Sequence, residues 1–182
     1  GNTVLTNSNV VMTVNQIQTT GSATVAASNG IASFVNAGVA GPRGNYLVTY
    51  TLNSGGNLIT TTQPVVLEFG APAKIEVVDQ PVNKQTGEDF PVNAPRIRLL
   101  DSFDNPVTGT NNLNATATLV AANGTALNPT TQSGAVSFDS NGVASFQGFD
   151  FVAAPGSYRL SFEASGFAPI TSSVFSLLVA DP

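Results

Sequence analysis

Asp101 and Asp104 stand three residues apart in Asp101-Ser102-Phe103-Asp104-Asn105-Pro106. Clustered carboxylates can hold calcium, which takes about six to eight oxygen ligands, and Asp79 or Asp181 are further donors for such a site. The spacing is not that of an EF-hand loop. The same residues read more simply as a side-chain-capped turn that stops a strand. A facing pair of acids could also hydrolyse glycosides. Ten of the eleven acids lie beyond residue 70, scattered over turns and strand faces, with no tryptophan platform beside them. Solvated carboxylates are the better reading. Histidine, cysteine and tryptophan are all absent, so thiol nucleophiles, thiolate metal sites and imidazole bases are excluded, and with them zinc enzymes and Ser-His-Asp hydrolases. No catalytic residue and no organic cofactor site emerge; calcium at Asp101 and Asp104 is the one metal candidate. Six scattered cations against eleven acids, a net charge of −5, leave no footprint for nucleic acid.

Weaker signals have bland readings. Thr60-Thr61-Thr62 and Thr171-Ser172-Ser173 are polar stripes that suit exposed strand positions, too short to engage ice or sugar as an array. Asn114-Ala115-Thr116 and Asn123-Gly124-Thr125 match the glycosylation acceptor pattern, which is short and common. Phe138, Phe146, Phe149, Phe151 and Phe162 read as core, with Phe149 and Phe151 expected on one strand face.

The elements that carry these residues are strands. Tyr158-Arg159-Leu160-Ser161-Phe162-Glu163 alternates apolar and polar residues with period two. Tyr46-Leu47-Val48-Thr49-Tyr50-Thr51 does the same, with Leu47 on the outer face. Turn signals recur at Asn29-Gly30, Gly55-Gly56, Asn105-Pro106, Asn123-Gly124 and Asn141-Gly142. Many short strands so spaced predict an all-β sandwich or barrel. At 42% hydrophobic the composition supports a sizeable core, and no apolar run reaches the ~18 residues of a membrane span.

The chain repeats itself. Asn29-Gly30-Ile31-Ala32-Ser33-Phe34 returns as Asn141-Gly142-Val143-Ala144-Ser145-Phe146, and Gly44-Asn45-Tyr46 as Gly156-Ser157-Tyr158, each 112 positions later. Ile59-Thr60-Thr61-Thr62 returns as Ile170-Thr171-Ser172-Ser173 with one residue of slippage. The second copy also has a front end, Ala73–Val78 and Pro95–Leu100, that the first copy lacks. Two modules are therefore expected, an incomplete one at 1–70 and a complete one at 71–182, joined near Phe69-Gly70-Ala71-Pro72. The chain starts at Gly1 without an initiator methionine, as expected of a processed or excised piece. Gln63-Pro64 stands opposite Val174-Phe175 in this alignment, and the proline suggests an edge or irregular strand.

The ordered set of motifs resembles the bacterial immunoglobulin-like (Big-type) modules found in tandem on extracellular and cell-surface proteins, including invasin- and intimin-like adhesins. It consists of Ala71-x-x-Lys74-Ile75, the Asp101/Asp104-Asn105-x-Val107 turn, Asn141 to Phe146, Gly156-x-Tyr158-x-Leu160, and Ser173-x-Phe175-x-Leu177. The resemblance implies tandem immunoglobulin-like β-sandwiches, the first lacking its N-terminal strands, outside the cell and without catalytic function. Asn29-Gly30 and Asn141-Gly142 are then tight hairpins before strand E. Tyr46 and Tyr158 are equivalent buried positions on strand F, with hydroxyls reaching a neighbouring loop as in a tyrosine corner. The implied role is a stalk, spacer or fibre subunit whose partners are neighbouring modules. Alternatives are a carbohydrate- or receptor-binding adhesin module and an appendage of a secreted enzyme. The gap in the first module is filled either by preceding polypeptide or by strands from other copies of the chain, and the latter builds a homopolymer.

Overall fold

The computed structural model describes residues 8–91, 95–109, 112–127 and 133–179. The described residues form strands, turns and irregular segments, with no helix among them. The fold is all-β. The chain divides into two compact units, Gly1–Phe69 and Gly70–Pro182.

The first unit contains β1 (Asn9–Val14), β2 (Gln18–Thr20), β3 (Thr24–Ala26), β4 (Gly38–Ala40), β5 (Gly44–Ser54) and β6 (Asn57–Leu67). Four strands make an antiparallel sheet in the order β3-β1-β5-β6, and β2 pairs with β4. β5 and β6 form a long hairpin paired from Ser54↔Asn57 to Gly44↔Leu67. Gly55 and Gly56 connect them with φ of +60° and +89°. A two-residue turn of that hand matches the strand twist and needs residues tolerant of positive φ.

The second unit contains β7 (Lys74–Asp79), β8 (Lys84–Gln85), β9 (Arg96–Leu100), β10 (Asn114–Ala121), β11 (Ser133–Ser137), β12 (Val143–Ser145), β13 (Gly156–Ala164), β14 (Ile170–Thr171) and β15 (Phe175–Leu178). One sheet runs β11-β10-β13-β15-β8, with β14 also on β13; the other runs β12-β9-β7. β8 joins β15 in parallel, and the other pairings are antiparallel. In immunoglobulin letters this is a sheet of A, B and E against a sheet of C′, C, F, G and A′. The period-two pattern puts Ala115, Ala117 and Leu119 of β10 and Leu160 and Phe162 of β13 in the core with Ile97, Leu99 and Ala144.

The strand pairings superimpose the two units. β1 lies on β5 as β10 lies on β13, with Val14↔Val48 matching Leu119↔Leu160. β3 matches β11, and β6 matches β15. The third repeat block aligns differently from its sequence match. Tyr50 pairs with Thr61 and Phe162 with Ile170, so Thr61, not Ile59, corresponds to Ile170. Tyr46↔Val65 likewise matches Tyr158↔Phe175. Pro64 therefore corresponds to Val174, and the core position of Phe175 belongs to Val65. Composition misled here because Ile-Thr-Thr is repetitive, whereas cross-strand register is fixed by which face is buried.

The units differ in front. Among the described residues of the first unit no strand corresponds to β7 or β9, and residues 31–34 pair only through a Ser28↔Ile31 bridge. The buried apolar side chains among the described residues reflect this. Met12, Ala27 and Val48 are buried in the first unit, against nineteen such residues from Ile75 to Leu177 in the second. Among the described residues the four-stranded sheet of the first unit lacks the β12-β9-β7 layer against which its counterpart in the second unit buries its apolar face.

Candidate functional site

The repeated motifs position the same local geometry twice. Tyr46 donates its hydroxyl to the Pro42 carbonyl at 2.8 Å and Tyr158 donates to Ala154 at 2.7 Å. Each ring folds back over the glycine two residues earlier, where an added Cβ would lie 3.2 Å from the Tyr46 hydroxyl at Gly44 and 3.4 Å from the Tyr158 ring at Gly156. That contact explains the Gly-x-Tyr spacing. Both tyrosines are half-buried, not buried as expected, because a hydroxyl that must reach the main chain four residues back holds its ring at the margin of the core.

The Asn-Gly motifs make two different turns. In the first unit Asn29 and Gly30 both have positive φ, +53° and +80°. Ser28 and Ile31 exchange two hydrogen bonds across them. In the Asn141-Gly142 pair of the second unit only the glycine is left-handed, at +70°, and a Cβ there would stand 1.9 Å from the Val107 carbonyl oxygen. Asp139, a residue sequence reading passed over, makes the difference. Its Oδ1 accepts from the amides of Asn141 (2.9 Å) and Val143 (2.8 Å). The first unit has Ala27 at the matching place and closes the shorter turn instead.

Asp101 is buried, and four N–H groups occupy its carboxylate. Oδ1 accepts from Phe103 N (2.8 Å) and Asn105 N (2.9 Å), and Oδ2 from Gly70 N (2.7 Å) and Asn105 Nδ2 (2.9 Å). Burial pushes its pKa up, but the bonds from Gly70, Asn105 and Phe103 outweigh that and hold it at about 2. Asp104 points to the Lys74 ammonium instead, and Asp79 pairs with Arg96 at 2.5 Å. Asp181 lies outside the described residues. Among the described residues no three acidic side chains converge on one point. A calcium ion at Asp101 would have to displace N–H donors already in place.

Lys84 carried no signal in the sequence. It is 5% exposed, with Nζ donating to the carbonyls of Glu88 and Phe149 and lying 4.1 Å from the centre of the Phe90 ring. Burial lowers its pKa, against Asp150, Asp89 and Glu88, which raise it. Its bonds tie β8 to two loops, a structural role. Ser172 is also buried, its Oγ accepting from Leu160 N at 2.9 Å. The two polar stripes thus part company, since Thr60, Thr61 and Thr62 are exposed on β6. Of the phenylalanines, Phe149 stands apart. It is half-buried in a loop and not on a strand with Phe151.

The first unit holds the most unusual surface. Val10, Ala32, Phe34 and Tyr50 line an open groove of about 410 Å³. Strand pairing and the repeat match them to Ala115, Ala144, Phe146 and Phe162, all fully buried in the second unit. Phe34 and Tyr50 keep their rings 5.2 Å apart, as do Phe146 and Phe162. Two of the four residues are identical and the ring spacing is the same, but in the second unit the Ala144 position pairs with Ile97 of β9, and among the described residues nothing pairs with Ala32 of the first.

No protein-family model matches the chain, and no curated protein sequence matches it. Solved structures similar to the chain include two surface-protein fragments. The D0-D1 domain of Intimin is 11% identical over 96% of this chain and 83% of that one, with a TM-score of 0.39. Domains 4 and 5 of the S-layer protein SbsC are 18% identical over 97% of this chain and 74% of that one, with a TM-score of 0.31. The immunoglobulin-type assignment rests on the strand order of the second unit.

Proposed function

We propose that the chain is a non-catalytic structural stretch of an extracellular surface protein, two immunoglobulin-type modules in series serving as stalk or spacer. The observation that carries this reading is the repeat of one architecture in which the conspicuous polar groups are consumed by the fold. Asp101 and Asp139 cap turns, Tyr46 and Tyr158 brace strand F, and Glu76–Arg98 and Asp79–Arg96 pair across β7 and β9. The groove of the first unit is, on this reading, the seat of A- and B-type strands supplied by the polypeptide that precedes it in the array. Replacing both modules by unrelated immunoglobulin modules of equal length in the intact surface protein tests the spacer role. Retained display and function of the distal parts is expected, and their loss overturns it. Protease shaving of intact cells that make the protein themselves tests its placement outside the cell: release of its peptides without lysis is expected, and their protection until lysis overturns it.

A second reading, carbohydrate binding, has one observation in its favour. Asn114, Thr116, Glu163, Ser165, Phe167 and Pro169 line an open groove of about 470 Å³ on the outer face of β10 and β13, a set of amide, hydroxyl, carboxylate and aromatic groups of the kind that orient small polar ligands. A glycan-array signal abolished by Glu163→Gln and Phe167→Ala would replace the spacer reading with this one.

A further inference from the structure

β6 is the last strand of the first unit's sheet. It pairs with β5 over its whole length without a register shift, and among the described residues nothing pairs with its other side. The turn fixes which groups that side carries. A two-residue hairpin closes on a hydrogen-bonded pair, here Ser54 and Asn57, and such pairs alternate with pairs whose main-chain groups point away. Asn57, Ile59, Thr61, Gln63 and Val65 therefore bond β5, while Leu58, Thr60, Thr62 and Val66 turn N–H and C=O to the open edge. Pro64 shares the outward parity, so its missing N–H falls on the edge and leaves the β5 ladder whole.

The matching edge of the second unit is closed. β8 runs beside β15, Thr86 N donates to Leu178 O at 3.0 Å, and the side chains of Gln80 and Asn83 accept from Ser173 N (2.7 Å) and Ser176 N (2.8 Å). Gly156↔Leu177 matches Gly44↔Leu67, so a β8-type strand on the first unit would cover residues near 67 and leave 58–62 open. Residues 57–64 are all exposed, and no charge occurs from Gly44 to Leu67. Protected edges are short, charged, bulged or interrupted by proline; Pro64 interrupts this one at its far end, and residues 58–62 carry none of these devices.

We propose that residues 58–62 pair antiparallel with the same residues of a second copy, about a two-fold axis through Thr60. That register opposes Leu58 to Thr62, Thr60 to Thr60 and Thr62 to Leu58, each an outward-facing pair that exchanges two hydrogen bonds. Moving the axis to Thr61 or Thr62 brings Pro64 opposite a residue that needs its donor. Moving it towards Leu58 runs the strand into the Gly55-Gly56 turn. Side chains agree with the register: Thr60 meets Thr60, Ile59 meets Thr61, and no like charges face each other. The contact is isologous and closes, giving a dimer with one continuous eight-stranded sheet and not a fibre.

The test uses the full chain, which has no cysteine of its own. Sedimentation velocity should show a concentration-dependent dimer that Thr60→Pro abolishes, because a proline there removes an outward donor as Pro64 does. Opposed outward residues have Cα atoms about 5.5 Å apart, within disulfide reach. The Thr60→Cys variant should therefore cross-link to itself under mild oxidation. Leu58→Cys and Thr62→Cys should cross-link to each other when mixed, and far more slowly alone. If Thr60→Pro loses its β-sheet circular dichroism, the cross-linking pattern decides. A monomer at all soluble concentrations, a dimer that survives Thr60→Pro, or cross-linking indifferent to position overturns the proposal.

Discussion

A Cβ added at Gly134 would lie 1.5 Å from Cε1 of Phe149. The Phe149 ring occupies the space a side chain on β11 would need, and its other neighbour is Phe146, 5.7 Å away between centroids. Gly134 thus serves packing, with no positive φ to demand it. Gly134→Ala must expel the ring and is expected to cost about 1–3 kcal/mol. In a Phe149→Ala background the same change should be nearly neutral, and urea denaturation of the four proteins of the double-mutant cycle measures the difference.

Tyr158→Phe keeps the ring over Gly156 and removes only the bond to Ala154. The expected loss is about 1 kcal/mol, with the same loss for Tyr46→Phe in the first unit. Tyr158→Ala should cost about 2 kcal/mol, less than the roughly 3–5 kcal/mol of a fully buried aromatic, because half the ring already faces water. Thermal or chemical melts of each variant give these values, and a Tyr158→Phe cost near zero would remove the hydroxyl from the account.

Strand class and the tyrosine-to-loop bond were legible in the sequence because each is local. Alternation exposes strands, and Gly44-x-Tyr46 and Gly156-x-Tyr158 carry both halves of one contact within three residues. Register was legible only where a motif is distinctive. Ile59-Thr60-Thr61-Thr62 slid by two positions against its partner because repeated threonines fit several alignments, and only the buried face of β13 decides among them. Lys84 was invisible because its partners, two main-chain carbonyls, have no sequence signature. The groove was half legible: the second copy's extra front motifs could be read from the repeat, but that Val10, Ala32, Phe34 and Tyr50 are the residues laid open required the pairing of β1 with β5.

Asp101 makes acid stability measurable. Its folded pKa of about 2 lies below the ordinary 3.8, so its contribution is fully present above pH 3.8 and is lost as pH falls from there towards 2. The contribution is about 2 kcal/mol. Asp101→Asn turns an amide NH₂ towards N–H donors and should cost about 3 kcal/mol at neutral pH. The gap between wild type and variant should narrow between pH 4 and 2 in denaturation midpoints. Added calcium should leave the melting temperature of the wild type unchanged, since the four N–H donors already fill the carboxylate; a calcium-dependent rise lost in Asp101→Asn would show a metal site.

The last expectation follows from the unequal cores. Among the described residues the first unit buries the apolar side chains of Met12, Ala27 and Val48, and the second buries nineteen; each fully buried large side chain stabilises by about 1.5–3 kcal/mol. The two units should therefore open separately. In hydrogen exchange of the full chain, amides of β10 and β13 should report the global stability of the second unit. Those of β1 and β5 should exchange by a much cheaper opening, and β6 amides at Leu58, Thr60 and Thr62 faster still unless a second copy pairs with them. Residues 70–182 expressed alone should keep the protection of β10 and β13, because their core lies within that unit. Extending the chain at its N-terminus with a copy of residues 70–107, which carries β7, β8 and β9, supplies the strands the groove lacks. Protection of β1 and β5 should then rise, with Phe34 and Tyr50 covered as Phe146 and Phe162 are. Equal protection of both units without the extension, or no gain with it, would show that the groove of the first unit is its finished form.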